Sequence, residues 1–360
     1  VTTVNGQSVD GNSISFKALE KITVEGEVLD ASGQLVTDFT GIVNPTVKDS
    51  KVTVTCLKNS NKDDSPAFTF TDYPNTIFIG NDSVRNGKFS FTFTVPKDIS
   101  YSNLQGKMNL YAVDTESGNE AQGNFDNFIV GGTSDTAETD TIGPEIRALY
   151  LNDTTFVDGG QVNTTPYFVA ELWDKSGVNI TGSSVGHDMM LVIDESTVLS
   201  YNLNSYYELL PGEEGTGIVK FPIPALEPGK HTAEFWVWDI LNNSTVRTFT
   251  FEVVEGLKPF LFDVIATPGI AREQVTFHLM HNRPESRMRV GIMVYDLAGR
   301  QLWKHEESGT SGLFENYTVS WDLTSGGARM RPGVYIYRAA ISTDNSKDAT
   351  KARKFIILGE

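Results

Sequence analysis

The sequence is short of cysteine. Among 360 residues there is one, Cys56, so no disulfide can close within the chain. It is short of basic residues too: 29 Lys and Arg face 46 Asp and Glu, a net charge of -17. That balance excludes the basic face that nucleic acid or an anionic membrane would reward. No run approaches the roughly 18 consecutive apolar residues of a membrane span. No window carries a helical apolar stripe, and no signal peptide opens the chain, so Val1 reads as the start of a mature piece. The Gly-x-Ser-x-Gly elbow, the phosphate loop and the His-Glu-x-x-His helix are all missing.

What is present is alternation. Apolar residues recur at every second position in Ile22–Val28, Lys88–Val95, Gly217–Phe221, His231–Trp238, Thr248–Val253, Arg287–Tyr295 and Val334–Ala340. Such segments are antiparallel strands with one wet face. Turn signals punctuate them, among them Ser32-Gly33, Asn86-Gly87, Ser117-Gly118, Pro228-Gly229, Asn242-Asn243 and Ala298-Gly299. The pattern predicts an all-β chain of three consecutive antiparallel β-sandwich (Ig-like) domains. Two breaks set the boundaries. Residues 131–144 are small, polar and acidic and read as a linker; the second break lies near Gly256–Pro259. The expected domains are 1–133, 134–256 and 257–360. Charge divides with them: residues 257–360 hold 14 basic and 11 acidic side chains, the rest of the chain 15 and 35. A last domain of opposite sign suggests a different partner for it.

Candidate chemistry is sparse. In Lys51–Leu57 the residues Val52, Val54 and Cys56 share the apolar face, which predicts a core thiol. His278 and His281 are three apart on a strand, so they point to opposite faces and do not share a metal. Gly186-His187-Asp188 reads as a turn before a strand. The acidic loops Asp63-Asp64, Asp135–Asp140 and Asp194-Glu195 offer oxygen ligands for calcium, but none forms the 12-residue calcium loop. Phe235-Trp236-Val237-Trp238 alternates two apolar faces and reads as a central strand, with a sugar platform as the other use of its tryptophans. The residues point to no catalytic centre and no cofactor beyond a loop calcium.

Several segments together carry a resemblance. They are Val1–Gly6, Lys17–Glu27, Phe39–Gly41, Gly87–Asp98, Gly131-Gly132, Asp140–Pro144, Ser176–Ile180, Gly186–Asp188 and Trp238–Asn243. In this order they resemble the segment that follows the peptidase domain in the PorU-like sortases of the type IX secretion system, a gingipain-type cysteine peptidase family. Residues 257–360 resemble the C-terminal domain that serves as the type IX secretion signal, through Asp296–Arg300, Trp321-Asp322, Pro332–Tyr335 and Lys351–Leu358. They depart from it at Thr267-Pro268-Gly269, where the family often has Pro-Asn-Pro. The resemblance implies an exported protein on the outer-membrane surface of a Gram-negative, Bacteroidetes-type bacterium. The family's catalytic Cys and His lie upstream of Val1, so this chain would be the non-catalytic C-terminal region of a cysteine endopeptidase and sortase. It would act as a spacer and docking module for that upstream peptidase domain. Its expected partner is an outer-membrane β-barrel component of the attachment complex (PorV-like), met by Gly299, Arg300, Gly333, Tyr335, Lys351, Arg353 and Lys354. The apolar edge Lys354–Leu358, flanked by basic residues, suits strand addition. The alternative is an exported carbohydrate- or calcium-binding, adhesin-like sandwich protein.

Overall fold

The computed structural model describes residues 1–57, 66–135, 140–182, 186–210, 215–313, 315–343 and 345–359. The described residues contain strands, one 3-10 turn at Asn204–Tyr206 and no α-helix, so the chain is a succession of β-sandwiches. It divides into two compact units: Val1–Leu149 with Ala170–Lys220 and Ala233–Thr248, and Tyr150–Val169 with Phe221–Thr232 and Phe249–Glu360.

The first unit opens with a sandwich. Its larger sheet runs in the order Glu120–Phe125, Lys107–Asp114, Gly41–Lys48, Asp82–Arg85, Lys88–Thr94, Lys21–Glu27, Thr3–Val4, Gln7–Ser8, with Thr76–Ile79 also on Gly41–Lys48. The smaller sheet joins Leu104–Gln105, Phe128–Thr133 and Ile14–Ala18. Alternation explains the core. Phe89, Phe91 and Phe93 face inward from one strand, and Phe16 answers from the other sheet. Phe16 stacks on Phe128 at 4.2 Å and meets Phe93 edge-on at 5.9 Å. Such ring pairs add to the area they bury. Asn86 and Gly87 both have positive φ, 51° and 71°. That is the two-residue hairpin that sets Lys88 opposite Arg85.

Two expectations need correction. Cys56 is exposed. Among the described residues, the strand that precedes it, Val52–Thr55, pairs only with Thr69–Asp72 in a two-stranded sheet. Alternation there marks a two-stranded ribbon whose apolar side is only half-buried at Val52 and Val54 and leaves Cys56 exposed. In addition, Gly131–Thr133 belong to the strand Phe128–Thr133 rather than to a linker. A side chain on Gly131 would fall 2.2 Å from Asn103 Oδ1. A small residue there reflects close packing, which composition alone reads as looseness. Residues 136–139 of the same stretch lie outside the described residues, as do Asp63, Asp64, Ser183 and Ser184.

In the second part of the first unit, Met190–Ile193 pairs with Gly229–Trp238 on one side and Ser200–Asn202 on the other. Phe235 and Val237 are fully buried and Trp236 and Trp238 half-buried, as a central strand requires.

The second unit holds the last sandwich. One sheet is Leu261–Thr267, Val275–His281, Tyr317–Trp321. The other is Ile270–Ala271, Ala349–Ile357, Gly333–Ser342, Met288–Tyr295, Gln301–Gly309. Trp303 and Trp321 stack at 4.4 Å, and Phe277, Tyr337 and Phe355 pack around them. The Tyr337 hydroxyl donates to the Val264 carbonyl at 3.1 Å. His281 is half-buried: Nδ1 accepts the Arg283 N–H, which leaves Nε2–H to donate to Ser311 Oγ. Burial, and secondarily the charge of Arg283, lowers its pKa to about 4.

Antiparallel pairing dominates, yet one short parallel contact recurs. Ile14–Phe16 runs parallel to Phe128–Val130, Gln161-Val162 to Glu252-Val253, and Ile270-Ala271 to Ile356-Ile357. Each time, an early strand segment closes against a much later one. This covers the apolar end of Ala349–Ile357, where Ile356 N–H donates to the Gly269 carbonyl and Leu358 N–H to Ala271. That end is therefore not the free edge its sequence suggests.

Candidate functional site

Four segments far apart in sequence meet at one polar cluster within the first unit. They are Lys97–Ile99, Asp140–Gly143, Asp174–Thr181 with His187, and Trp238–Asn243. Asp98 is the hub on one side. Only 8% exposed, it accepts from His187 Nδ1 at 2.7 Å, Asn179 Nδ2 at 3.3 Å and Asn242 Nδ2 at 2.8 Å. A buried carboxylate needs such donors to offset lost hydration. The His187 ring also lies 4.5 Å from the Trp238 ring. Backbone reinforces the join: Lys97 N–H donates to Ile240 C=O, and Asn179 N–H to Trp238 C=O.

Asp239 is the hub on the other side. Oδ1 accepts from the N–H groups of Leu241 and Asn243, at 2.9 and 2.7 Å, and Oδ2 accepts Asn243 Nδ2 at 2.6 Å. The same Asn243 amide reaches the Asp140 carbonyl at 3.1 Å. Asp174 Oδ1 accepts the Ser176 and Gly177 N–H groups, each at 2.8 Å, and Ser176 Oγ donates to Asp140 Oδ2 at 2.9 Å. These are Asx turns, in which a side chain substitutes for the missing ladder.

The geometry crowds three carboxylates. Asp140, Asp174 and Asp239 each place an oxygen within 4.8 Å of the others. Burial, joined by the charges of Asp239 and Asp140, raises the Asp174 pKa to about 6 against the pull of its two N–H donors. Burial likewise raises Asp239, helped by Asp140. Asp140 is held below the ordinary range by the Ile142 N–H and the Ser176 hydroxyl. Hard oxygens at this spacing are a donor set suited to a divalent cation. Among the described residues of the acidic loops singled out from sequence, only Asp140 contributes. Asp174 and Asp239 were missed, although Asp174-Lys-Ser-Gly and Asp239-Ile-Leu-Asn-Asn carry Asx-turn spacing.

The residues expected to dock a partner are spread over the last sandwich. Gly299 and Arg300 are exposed on the turn built by Asp296, whose Oδ1 accepts the Ala298 and Arg300 N–H groups. Lys354 is exposed. Lys351 donates to the Phe262 carbonyl, and Arg353 grips the Asp263 carboxylate at 2.8 and 3.0 Å. Gly333 is half-buried, and Tyr335 points inward at 8% exposure with its hydroxyl on the Arg331 carbonyl. Of the seven, Gly299, Arg300, Arg353 and Lys354 are exposed and Tyr335 is buried.

No protein-family model and no curated protein matches the chain. Among solved structures, dimeric latent PorU from Porphyromonas gingivalis is 38% identical over 100% of this chain and 34% of that chain, with a TM-score of 0.44. The chain is PorU-like. That rests on identity sustained along its whole length. The chain spans about a third of the length of that PorU, 34%. Two further matches are distant: the chicken CNTN1 FN1–FN3 domains (8% identity, 93% of this chain, 97% of that one, TM-score 0.23) and the Ig1-2 module of Drosophila DLAR (9%, 61%, 100%, 0.24). The polar cluster draws together Asp140–Pro144, Ser176–Ile180, His187 and Trp238–Asn243, segments on which the resemblance read from sequence rests.

Proposed function

We propose that this chain is the non-catalytic C-terminal region of a cell-surface type IX secretion sortase. It spaces a gingipain-type cysteine peptidase from the outer membrane and docks it there. The reading takes the chain as sandwiches over 1–133, 134–256 and 257–360, the last meeting a PorV-like β-barrel of the attachment complex. The observation that carries it is the 38% identity to PorU along the entire chain. The cluster around Asp98 and Asp239 suits a spacer, because buried polar contacts between segments far apart in sequence hold loops in one arrangement. The exposed Arg300 and Lys354 suit a docking face that carries charge of the opposite sign to the rest of the chain.

The test is capture. Immobilised full chain should retain a PorV-like barrel from detergent-solubilised outer membranes and should leave a signal-domain substrate uncut. Cleavage of that substrate by this chain would refute the reading.

A further inference from the structure

The outer face of the first sandwich carries an unusual grid. On three adjacent strands, Gly41–Lys48, Lys107–Asp114 and Glu120–Phe125, the outward side chains fall in rows. Asn44, Tyr111 and Gln122 form one row, and Thr46, Asn109 and Asn124 the next. These six residues line a shallow groove of about 540 Å³, a volume in the range of small-molecule sites. None of the six is charged, in a chain of net charge -17. The grid ends at Lys48 and Lys107 on one side and at Ile42, Val113 and Glu120 on the other.

Local structure does not account for this choice. Asn is among the residues that strands disfavour, and exposed faces are ordinarily stabilised by β-branched or oppositely charged cross-strand pairs. Here three Asn and one Gln occupy central outward positions. Among the described residues, none of the four side-chain amides has a hydrogen-bond partner. Each therefore presents a carbonyl acceptor and two N–H donors to whatever enters the groove. Tyr111, 41% exposed, adds a flat apolar ring in the middle of the grid.

We infer that this groove binds an uncharged oligosaccharide. A sugar ring matches both halves of the surface: its C–H face stacks on Tyr111, and its hydroxyls pair with amides that donate and accept. Three strands span about 10 Å, the width of a di- or trisaccharide. Charge selects the class. An anionic ligand would enter an acidic protein's field without a cation among the six lining residues and with the Glu120 carboxylate beside Tyr111, while a cationic one would find no carboxylate among the six, Glu120 already accepting from the Tyr111 hydroxyl.

A glycan array of short neutral oligosaccharides, with phosphorylated, sulphated and sialylated members beside them, tests this on the full chain. Neutral members should bind, and titration of the strongest should be saturable. The Asn109→Thr/Gln122→Thr variant should weaken that binding by about tenfold or more. Its melting temperature should hold or rise, because Thr suits a strand better than Asn or Gln. Binding to anionic members alone, binding to no member, or unchanged affinity in the folded variant would overturn the inference.

Discussion

At the scale of single residues, the account turns on carboxylates whose surroundings differ. Asp98 is buried with three side-chain donors, and removing it leaves those donors unpaired. Asp98→Ala should cost about 2–4 kcal/mol, seen as a lowered melting temperature, whereas a comparable change at an exposed acid such as Asp10 should be nearly silent. Asp174 is the opposite case. Its pKa is raised from 3.8 to about 6, so the folded chain favours the protonated form. Its stabilising effect is complete below the ordinary aspartate range and is lost as pH rises through about 6. Asp174→Asn keeps the oxygen that accepts from Ser176 and Gly177 while removing the charge. At pH 8 it should stabilise the protein on the order of 1 kcal/mol, and at pH 4 the difference should vanish. His281 slopes the other way. With its pKa lowered from 6.5 to about 4, its contribution is present above 6.5 and lost as pH falls toward 4. Denaturant melts of Asp174→Asn and His281→Gln across that window separate the two slopes.

At the scale of elements, period-two alternation was a sound guide wherever a second layer exists. Phe89, Phe91, Phe93, Phe235, Val237, Val290 and Ile292 are all buried as their spacing predicts. The same signal failed at Cys56, because alternation shows which side chains share a face and not whether anything covers that face. The polar cluster was harder to read. Asp98 meets residues 81 to 144 positions away, and a buried aspartate in a loop looks like a solvated one until its partners are placed. Gly131 misled for a related reason, since tight packing and looseness both select glycine. Within the last sandwich, elements are held unequally. Tyr337→Phe removes a buried hydrogen bond between the two sheets and should cost about 1 kcal/mol. Arg353→Ala opens a solvent-exposed pair with Asp263 and should shift the melting temperature little.

At the scale of the whole molecule, a PorU-like chain built of sandwiches shares its charge unevenly along the sequence. An acidic body with a slightly basic end should make docking salt-sensitive, because exposed charges are screened over roughly 8 Å at physiological ionic strength. The most direct measurement is equilibrium binding of the full chain to a purified PorV-like barrel in detergent, compared with an Arg300→Glu/Lys354→Glu variant. The account predicts saturable binding that weakens at least severalfold in the variant and with added salt. Absence of binding, or binding indifferent to both changes, would contradict it.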